Sequence, residues 1–237
     1  MFAPLFKTEN LNFTDFVTKI STDNNFKFVP KGDFIARLLN EITKENWVDV
    51  ELLYFDLVYK TRKNKDKILQ FNEQLNFLKE KLVEYLGLTI EGISYSDDLK
   101  KAMNKIINCE LEYEKLKPRS DIKKSIVNRN YFLNFNYTEL LNEVVCDKHV
   151  RKGKYEINNI HGTIKDNDLD KIIFGYGDED SVKFKELLEM NKDEMVENIK
   201  TYKYLVSNNY DSLNHFINSK EIYQVIIIGH SCQLSDK

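Results

Sequence analysis

Cysteine, proline and glycine are all scarce in this sequence, and each shortage excludes a class of protein. The 237 residues include three cysteines, which are widely spaced and form no C-x-x-C pair. A disulfide framework or a zinc site is therefore not expected, and we expect no bound metal. Three prolines and eight glycines leave little material for long disordered linkers. We expect a reduced, cytoplasmic protein.

Long apolar runs and an excess of one charge are missing as well. No apolar run approaches 18 residues, and the first ten residues lack a basic head followed by an apolar stretch. Neither a membrane-spanning helix nor a signal peptide is therefore expected. The formal net charge is −3, so nucleic acid is not an expected partner. The hydrophobic share of 42% and the charged share of 31% are typical of a soluble chain with a full core.

The first part of the chain, residues 1–120, carries apolar side chains at helical spacing and predicts a helical cap or insertion. The apolar stripes lie at residues 13–20, 34–42, 47–58, 68–85 and 99–111. Gly87 is expected to end the fourth helix. The aromatic side chains of this half are expected to pack in the core or to serve oligomerisation and partner contact.

The second part, residues 121–237, alternates short apolar strands with helices and predicts an α/β core. Strands are predicted at 131–135, 157–160, 171–174 and 223–228, and helices at 139–145 and across 181–217. The last strand is wholly apolar, as expected of a central strand in a mostly parallel sheet. Both parts are expected to form one integrated domain.

Each predicted strand turns polar or glycine-rich where it ends. The four ends are Asn134-Phe135-Asn136-Tyr137-Thr138, His161-Gly162, Gly175-Tyr176-Gly177 and Gly229-His230-Ser231. Because the carboxyl ends of parallel strands share one edge, we expect these residues to surround a common pocket.

Simpler interpretations stay open for the individual residues of these strand ends. Asn136 is equally suited to cap the following helix, and a lone histidine such as His161 is more often structural than catalytic. Asp178-Glu179-Asp180 would suit either a solvated loop or the cation of a nuclease, which we rank last. The sequence contains no G-x-G-x-x-G, G-x-x-x-x-G-K-[ST], G-x-S-x-G or H-E-x-x-H motif.

Taken in order, the motifs resemble those of the bacterial AbiH family of phage abortive-infection proteins. The resemblance covers nearly the whole chain. It is carried by Trp47-Val48-Asp49-Val50-Glu51, residues 132–138, Asn159-Ile160-His161-Gly162, Ile172-Ile173-Phe174-Gly175, Ile226-Ile227-Ile228-Gly229-His230-Ser231 and Ser235-Asp236. The resemblance implies a protein of antiviral defence.

That family is in turn distantly similar to the sirtuin-like, Rossmann-like NAD-binding fold. The similarity implies that Asn136 orients the ribose and the attacking water, and that His161 acts as a base at the ribose hydroxyls. It implies NAD as substrate or ligand and an NAD glycohydrolase-type reaction, while the missing zinc cysteines argue against protein deacylation. The further nucleotide-binding residues that it implies are Asn134, Thr138, Gly162, Gly175, Gly229, His230, Ser231 and Asp236.

Two expectations concern completeness and activity. The family usually opens with an apolar strand and a Gly-Asn-Gly-Phe-Asp loop, which have no counterpart before Leu5-Phe6-Lys7-Thr8. We therefore expect a chain truncated at both ends, which bears on whether it is active. The alternative to an enzyme is a non-catalytic module that senses a nucleotide-like small molecule or contacts a partner protein. The phage component that would trigger either one is not identified by the sequence.

Overall fold

The computed structural model of the protein describes residues 32–42, 49–90, 96–107, 130–145, 155–166, 168–177, 180–219 and 224–229. The backbone forms two compact units. Unit 1 comprises Met1–Leu78, Gly175–Asn198 and Leu234–Lys237, and unit 2 comprises Lys79–Phe174 and Ile199–Gln233. The helix predicted at 13–20 lies outside the described residues.

Helices account for most of the described chain, and two strands pair within it. In chain order the elements are α1 (Asp33–Ile42), α2 (Val50–Lys60), α3 (Lys65–Ile90), α4 (Asp97–Ile107), β1 (Asn130–Asn134), α5 (Leu140–Val145), β2 (Tyr155–Asn159), α6 (Val182–Glu189), α7 (Asp193–Val196), α8 (Lys200–Leu205) and α9 (Asn208–Asn218). Short 3₁₀ turns occupy Ile164–Asp166 and Leu169–Lys171. The helical stripes predicted at 34–42, 47–58 and 99–111 thus correspond to α1, α2 and α4.

Unit 1 is built on helices whose apolar faces meet in one core. Phe34 of α1, Val58 of α2 and Ile68 of α3 are each at most 1% exposed. The ring of Phe55 stacks on that of Tyr176 with 3.9 Å between centroids. Apolar burial of this kind is the main favourable contribution to folding.

A polar network lies within the core of unit 1. The Tyr54 hydroxyl donates to Asn72 Oδ1 over 2.6 Å, and Asn72 Nδ2 donates to Glu197 Oε2 over 2.7 Å. Burial of the phenol raises the pKa of Tyr54 above its usual value. Tyr54 therefore remains neutral and acts as a structural hydrogen-bond donor.

Asp49 sets the start of α2, and its loss gives a measurable test of this part of the fold. Its side chain accepts from the Leu52 N–H over 2.9 Å. We expect Asp49→Ala to lower the free energy of unfolding by about 1 kcal/mol, because one N-terminal amide then loses its partner. Urea denaturation measures this loss.

Ser181 provides the matched control because it precedes α6 without a side-chain capping hydrogen bond. Ser181→Ala should therefore change the stability by less than about 0.5 kcal/mol. Equal losses in the two variants would contradict the capping role of Asp49.

Unit 2 contains a two-stranded parallel sheet with helices on both faces. The register pairs Asn130 with Tyr155 and Asn134 with Asn159. One face, including Phe132 and Ile157, packs against Ile107 of α4 and Val145 of α5. On the other face the Tyr131 ring stacks on Phe216 of α9, 4.3 Å between centroids. This arrangement is that of a parallel α/β unit.

The strand predicted at 171–174 is not formed, because a 3₁₀ turn ends at Lys171 and residues 172–174 lie outside any strand. The Asp168 side chain caps this turn, and the Ile172 N–H is bonded back to the Leu169 carbonyl over 3.2 Å. The Ile172 N–H is therefore already hydrogen-bonded within the turn and cannot pair with a neighbouring strand. Ile172 and Ile173 are nevertheless buried, as their apolar character predicts.

The strand predicted at 223–228 is also wrong for the residues that the structure describes there. Residues 224–228 lie outside any strand, and Val225, Ile226, Ile227 and Ile228 are between 46% and 70% exposed. Apolar runs identify residues that can be buried, but a strand also needs a partner backbone. The described sheet of unit 2 consists of β1 and β2.

Gly87 does not end the helix predicted from the stripe at 68–85. This helix is α3, and it continues to Ile90. A β-carbon added at Gly87 would meet no atom within 4 Å, so the residue is not needed for a close approach. The Thr89 hydroxyl donates to the Tyr85 carbonyl over 2.8 Å and supports this last turn. Glycine tolerates the helical conformation at a modest cost, which explains why the signal for a helix end fails here.

Candidate functional site

The candidate site lies where β1 and β2 end, at the edge expected from their parallel arrangement. Loop 135–138 follows β1, and the turn of Ile160, His161 and Gly162 follows β2. The Ile160 N–H donates to the Asn134 carbonyl over 3.1 Å and extends the pairing beyond the last residues of the strands. The two loops are therefore held side by side.

Asn134 connects these loops through its buried side chain. Its Nδ2 donates to Asn159 Oδ1 over 2.7 Å and to the Thr138 carbonyl over 3.1 Å. Its Oδ1 accepts from both the main-chain and the side-chain nitrogen of Asn136, each at 3.1 Å. One amide thus uses its donor and acceptor groups to fix the shape of loop 135–138.

His161 is 4% exposed and has polar contacts at both ring nitrogens. Nδ1 lies 3.2 Å from the Phe135 carbonyl oxygen, and Nε2 lies 2.7 Å from the Tyr204 hydroxyl. A carbonyl only accepts, so we assign the proton to Nδ1. In the neutral ring Nε2 then accepts from Tyr204, and the tautomer is fixed by its neighbours.

Aromatic rings surround the imidazole. Phe135 meets it edge-on at 5.4 Å, and Tyr204 lies nearly parallel to it with centroids 6.0 Å apart. The Tyr137 ring lies 5.8 Å away, and its hydroxyl donates to the Ile173 carbonyl over 3.1 Å. The ring of His161 is therefore held in one orientation.

Gly162 is required by the turn that carries His161. Its φ is +80°, and a β-carbon there would lie 2.3 Å from the Lys171 carbonyl oxygen. Its N–H donates to the Asn159 carbonyl over 2.9 Å. Only glycine combines this conformation with such a close approach of two backbones.

The structure thus brings together Asn134, Asn136, Thr138, His161 and Gly162 within unit 2. Asn136 is exposed, and its side chain contributes to the loop rather than capping α5. The Thr138 carbonyl accepts from Asn134. The position of these residues beside one another agrees with the geometry that the sequence predicts for parallel strand ends.

The remaining predicted site residues have other surroundings or lie outside the described chain. Gly175 belongs to unit 1, where its N–H donates to Glu51 Oε1 over 2.9 Å and a β-carbon would meet the Asn198 carbonyl. Gly229 is exposed, with a φ of +63° and open space around it. His230, Ser231 and Asp236 lie outside the described residues.

Tyr204 and Asn159 contact the site but are not identified by the sequence. Tyr204 reads only as an apolar anchor of a helical segment, and 43 residues separate it from His161. Asn159 follows from its place opposite Asn134 in the register, which becomes visible once the two strands are aligned. The signal for Asn159 is therefore the strand pairing, whereas the sequence holds no comparable signal for Tyr204.

A cavity of about 220 Å³ in unit 2 has a different lining. Glu80, Glu84 and Asp168 contribute carboxylates to it, and Ile164 and Ile172 contribute apolar surface. Three acidic groups disfavour an anionic ligand there. The polar strand ends are therefore the better candidate for a nucleotide.

A metal-binding cluster and a membrane-spanning helix are both absent from the part of the chain that the structure describes. Within that part no group of three or more His, Cys, Asp or Glu side chains is arranged to hold a metal ion. The helices that the structure describes include none long and apolar enough to span a bilayer.

The parallel strand pair, its flanking helices and its polar ends define a mixed, helix-rich protein with a small parallel sheet in the part of the chain that the structure describes. Among known protein families, the one described as bacteriophage abortive infection AbiH matches residues 6–237. The chain belongs to this family, whose name indicates a role in bacterial defence against phage. Neither the curated proteins nor the solved structures yield a match.

Proposed function

We propose that this AbiH-family protein binds a nucleotide, with NAD as the first candidate, at the carboxyl edge of β1 and β2. The observation that carries the proposal is the placement of His161 beside the loop of Asn136, with Asn134 fixing that loop. The carboxyl edge of parallel strands is the usual ligand site of α/β proteins. A sirtuin-like core is part of this proposal.

The proposed reaction during phage infection is hydrolysis of the nicotinamide–ribose bond. NAD⁺ and water give ADP-ribose, nicotinamide and a proton. The sugar carbon gains positive charge as its bond to nicotinamide breaks, so the protein has to orient water and stabilise charge. Asn136 would orient the water and the ribose, and His161 would take up a proton. Such a reaction would act on the cytoplasmic pool of NAD.

The resemblance to the sirtuin-like fold supplies further contacts to the nucleotide, which we include in the proposal. Gly162, which has no β-carbon, would allow the backbone to approach the ligand closely. Gly229 and Ser231, with His230 between them, are proposed to contact the adenosine and the phosphates. No metal is included.

Nicotinamide release from NAD by the purified protein, alone and with phage lysate, tests the enzymatic proposal. We expect His161→Ala to lower the rate about 100-fold or more, because proton transfer by a placed side chain contributes that much. His215→Ala is the matched control, since His215 is an exposed histidine on α9. Absence of NAD consumption by the unaltered protein under both conditions, or equal rates in it and His161→Ala, would refute the enzymatic proposal.

A non-catalytic nucleotide sensor is the second candidate, and the burial of His161 favours it. Both ring nitrogens and the side chain of Asn136 are engaged in contacts within the protein. Side chains that already form hydrogen bonds within the protein are better suited to shaping a binding site than to transferring protons. Calorimetry with NAD distinguishes the candidates: binding without turnover supports the sensor, and turnover excludes it.

A further inference from the structure

Tyr204 is a polar contact of His161 and is less buried than the imidazole. The imidazole is 4% exposed, whereas Tyr204 of α8 is half-buried. The Tyr204 hydroxyl and His161 Nε2 are 2.7 Å apart, a distance typical of a strong hydrogen bond. The tyrosine is therefore the more accessible residue of the pair.

The direction of this hydrogen bond follows from the other side of the ring. Because the Phe135 carbonyl accepts at Nδ1, neutral His161 carries no proton on Nε2, and the Tyr204 O–H donates. A phenol oxygen has two lone pairs, so it can accept a hydrogen bond while donating to His161. The hydrogen bond is thus oriented so that a proton can pass from the Tyr204 hydroxyl to His161 Nε2.

Resting on the proposed function, we propose that Tyr204 is the group that contacts a ribose hydroxyl, and that His161 acts through it as a positioning residue. As the ribose O–H gives its proton to the Tyr204 oxygen, the tyrosine proton moves to His161 Nε2. The Tyr204 hydroxyl is restored, the imidazole becomes an imidazolium, and the ribose oxygen is left as an alkoxide beside the positive charge that develops on the sugar carbon. The imidazolium later releases the proton that the overall reaction produces. Its Nδ1–H remains on the Phe135 carbonyl, which stabilises the positive charge.

Ring packing keeps Tyr204 in the required orientation. Its ring lies 15° from the plane of His161 and 19° from that of Tyr210, with centroids 6.0 and 6.1 Å apart. Stacked rings of this kind restrict rotation of the phenol. The hydroxyl is therefore held toward Nε2 before a ligand arrives.

Tyr204→Phe tests the relay because it removes one oxygen and keeps the ring. We expect kcat for NAD cleavage to fall about 100-fold with little change in KM. In ¹⁵N NMR spectra of the free protein, His161 should show a protonated Nδ1 and a hydrogen-bonded Nε2. The Nε2 resonance should shift in Tyr204→Phe.

Tyr210→Phe is the matched control, since it removes the same atom from the adjacent stacked ring. It should leave both kcat and the Nε2 resonance close to those of the unaltered protein. An active protein in which Tyr204→Phe keeps kcat within twofold overturns the inference and leaves the proposed function standing. If the unaltered protein does not turn NAD over, the proposed hydrolysis and the relay that rests on it are both overturned, whereas nucleotide binding is still judged by calorimetry.

Discussion

Gly162→Ala is expected to lower the free energy of unfolding by about 3 kcal/mol, the cost of forcing a side chain into a left-handed turn and against a backbone. The φ of +80° already disfavours alanine. The added β-carbon would also lie 2.3 Å from the Lys171 carbonyl oxygen, which belongs to the main chain. Relief therefore requires the 3₁₀ turn at Leu169–Lys171 or the His161 turn to move.

The same movement would disturb the candidate site. The His161 carbonyl accepts from the Ile173 N–H over 2.9 Å, which ties the turn after β2 to the segment that follows the 3₁₀ turn. We therefore expect Gly162→Ala to weaken any nucleotide binding that the unaltered protein shows. Urea denaturation measures the stability, and calorimetry measures the binding.

Gly87→Ala provides a control with the opposite expected sign. Gly87 lies within α3, and an added β-carbon would meet open space. Alanine should stabilise this helix by about 0.5–1 kcal/mol, because glycine loses more backbone entropy on folding. Destabilisation of similar size in both variants would contradict the geometry of the Gly162 turn.

The helices could be predicted from the sequence because their signal is local. The apolar residues of α1, α2 and α4 recur three or four positions apart, so the sequence of each segment alone indicates its buried face. The end of α3 could not be predicted in this way. Gly87 permits several conformations, and the helix continues through it.

The strands were predictable only where a neighbouring segment pairs with them. β1 and β2 lie at the predicted positions to within about two residues, and their parallel register brings Asn134 opposite Asn159. The run of Ile172 and Ile173 is apolar and more deeply buried than most of β1 and β2, but the Ile172 N–H is bonded within the preceding 3₁₀ turn. Apolar character alone therefore predicts burial better than it predicts pairing.

The contacts of the candidate site also differ in whether the sequence predicts them. The proximity of His161 to loop 135–138 follows from two parallel strand ends, which the sequence indicates. The contact with Tyr204 depends on where α8 packs, and this information is spread over side chains remote from both residues. Glu51 similarly accepts from the Gly175 N–H across 124 residues, so the link between these two family motifs becomes visible only in the folded unit 1.

Asn134→Asp is expected to lower the free energy of unfolding by about 3 kcal/mol at pH 7, although the side chain keeps its shape. Asn134 is buried, and its Nδ2 donates to the Thr138 carbonyl and to Asn159 Oδ1. A carboxylate has no hydrogen to donate, so two acceptors would face a buried negative charge. An unpaired buried charge is among the most costly single changes in a protein.

The change should also alter the candidate site, because the shape of loop 135–138 depends on this amide. We expect nucleotide binding, where the unaltered protein shows it, to be lost together with stability. At pH 4 the difference from the unaltered protein should shrink, since a protonated carboxyl regains one donor. Urea denaturation at the two pH values measures both effects.

Asn136→Asp is the matched control for charge in the same loop. Asn136 is exposed, so water can solvate an introduced carboxylate, and the main consequence is loss of the donor to Asn134 Oδ1. We expect a cost of about 1 kcal/mol. If Asn134→Asp is tolerated as well as Asn136→Asp at pH 7, the buried amide does not hold the two strand ends together. The site proposed at their edge would then lose its structural basis.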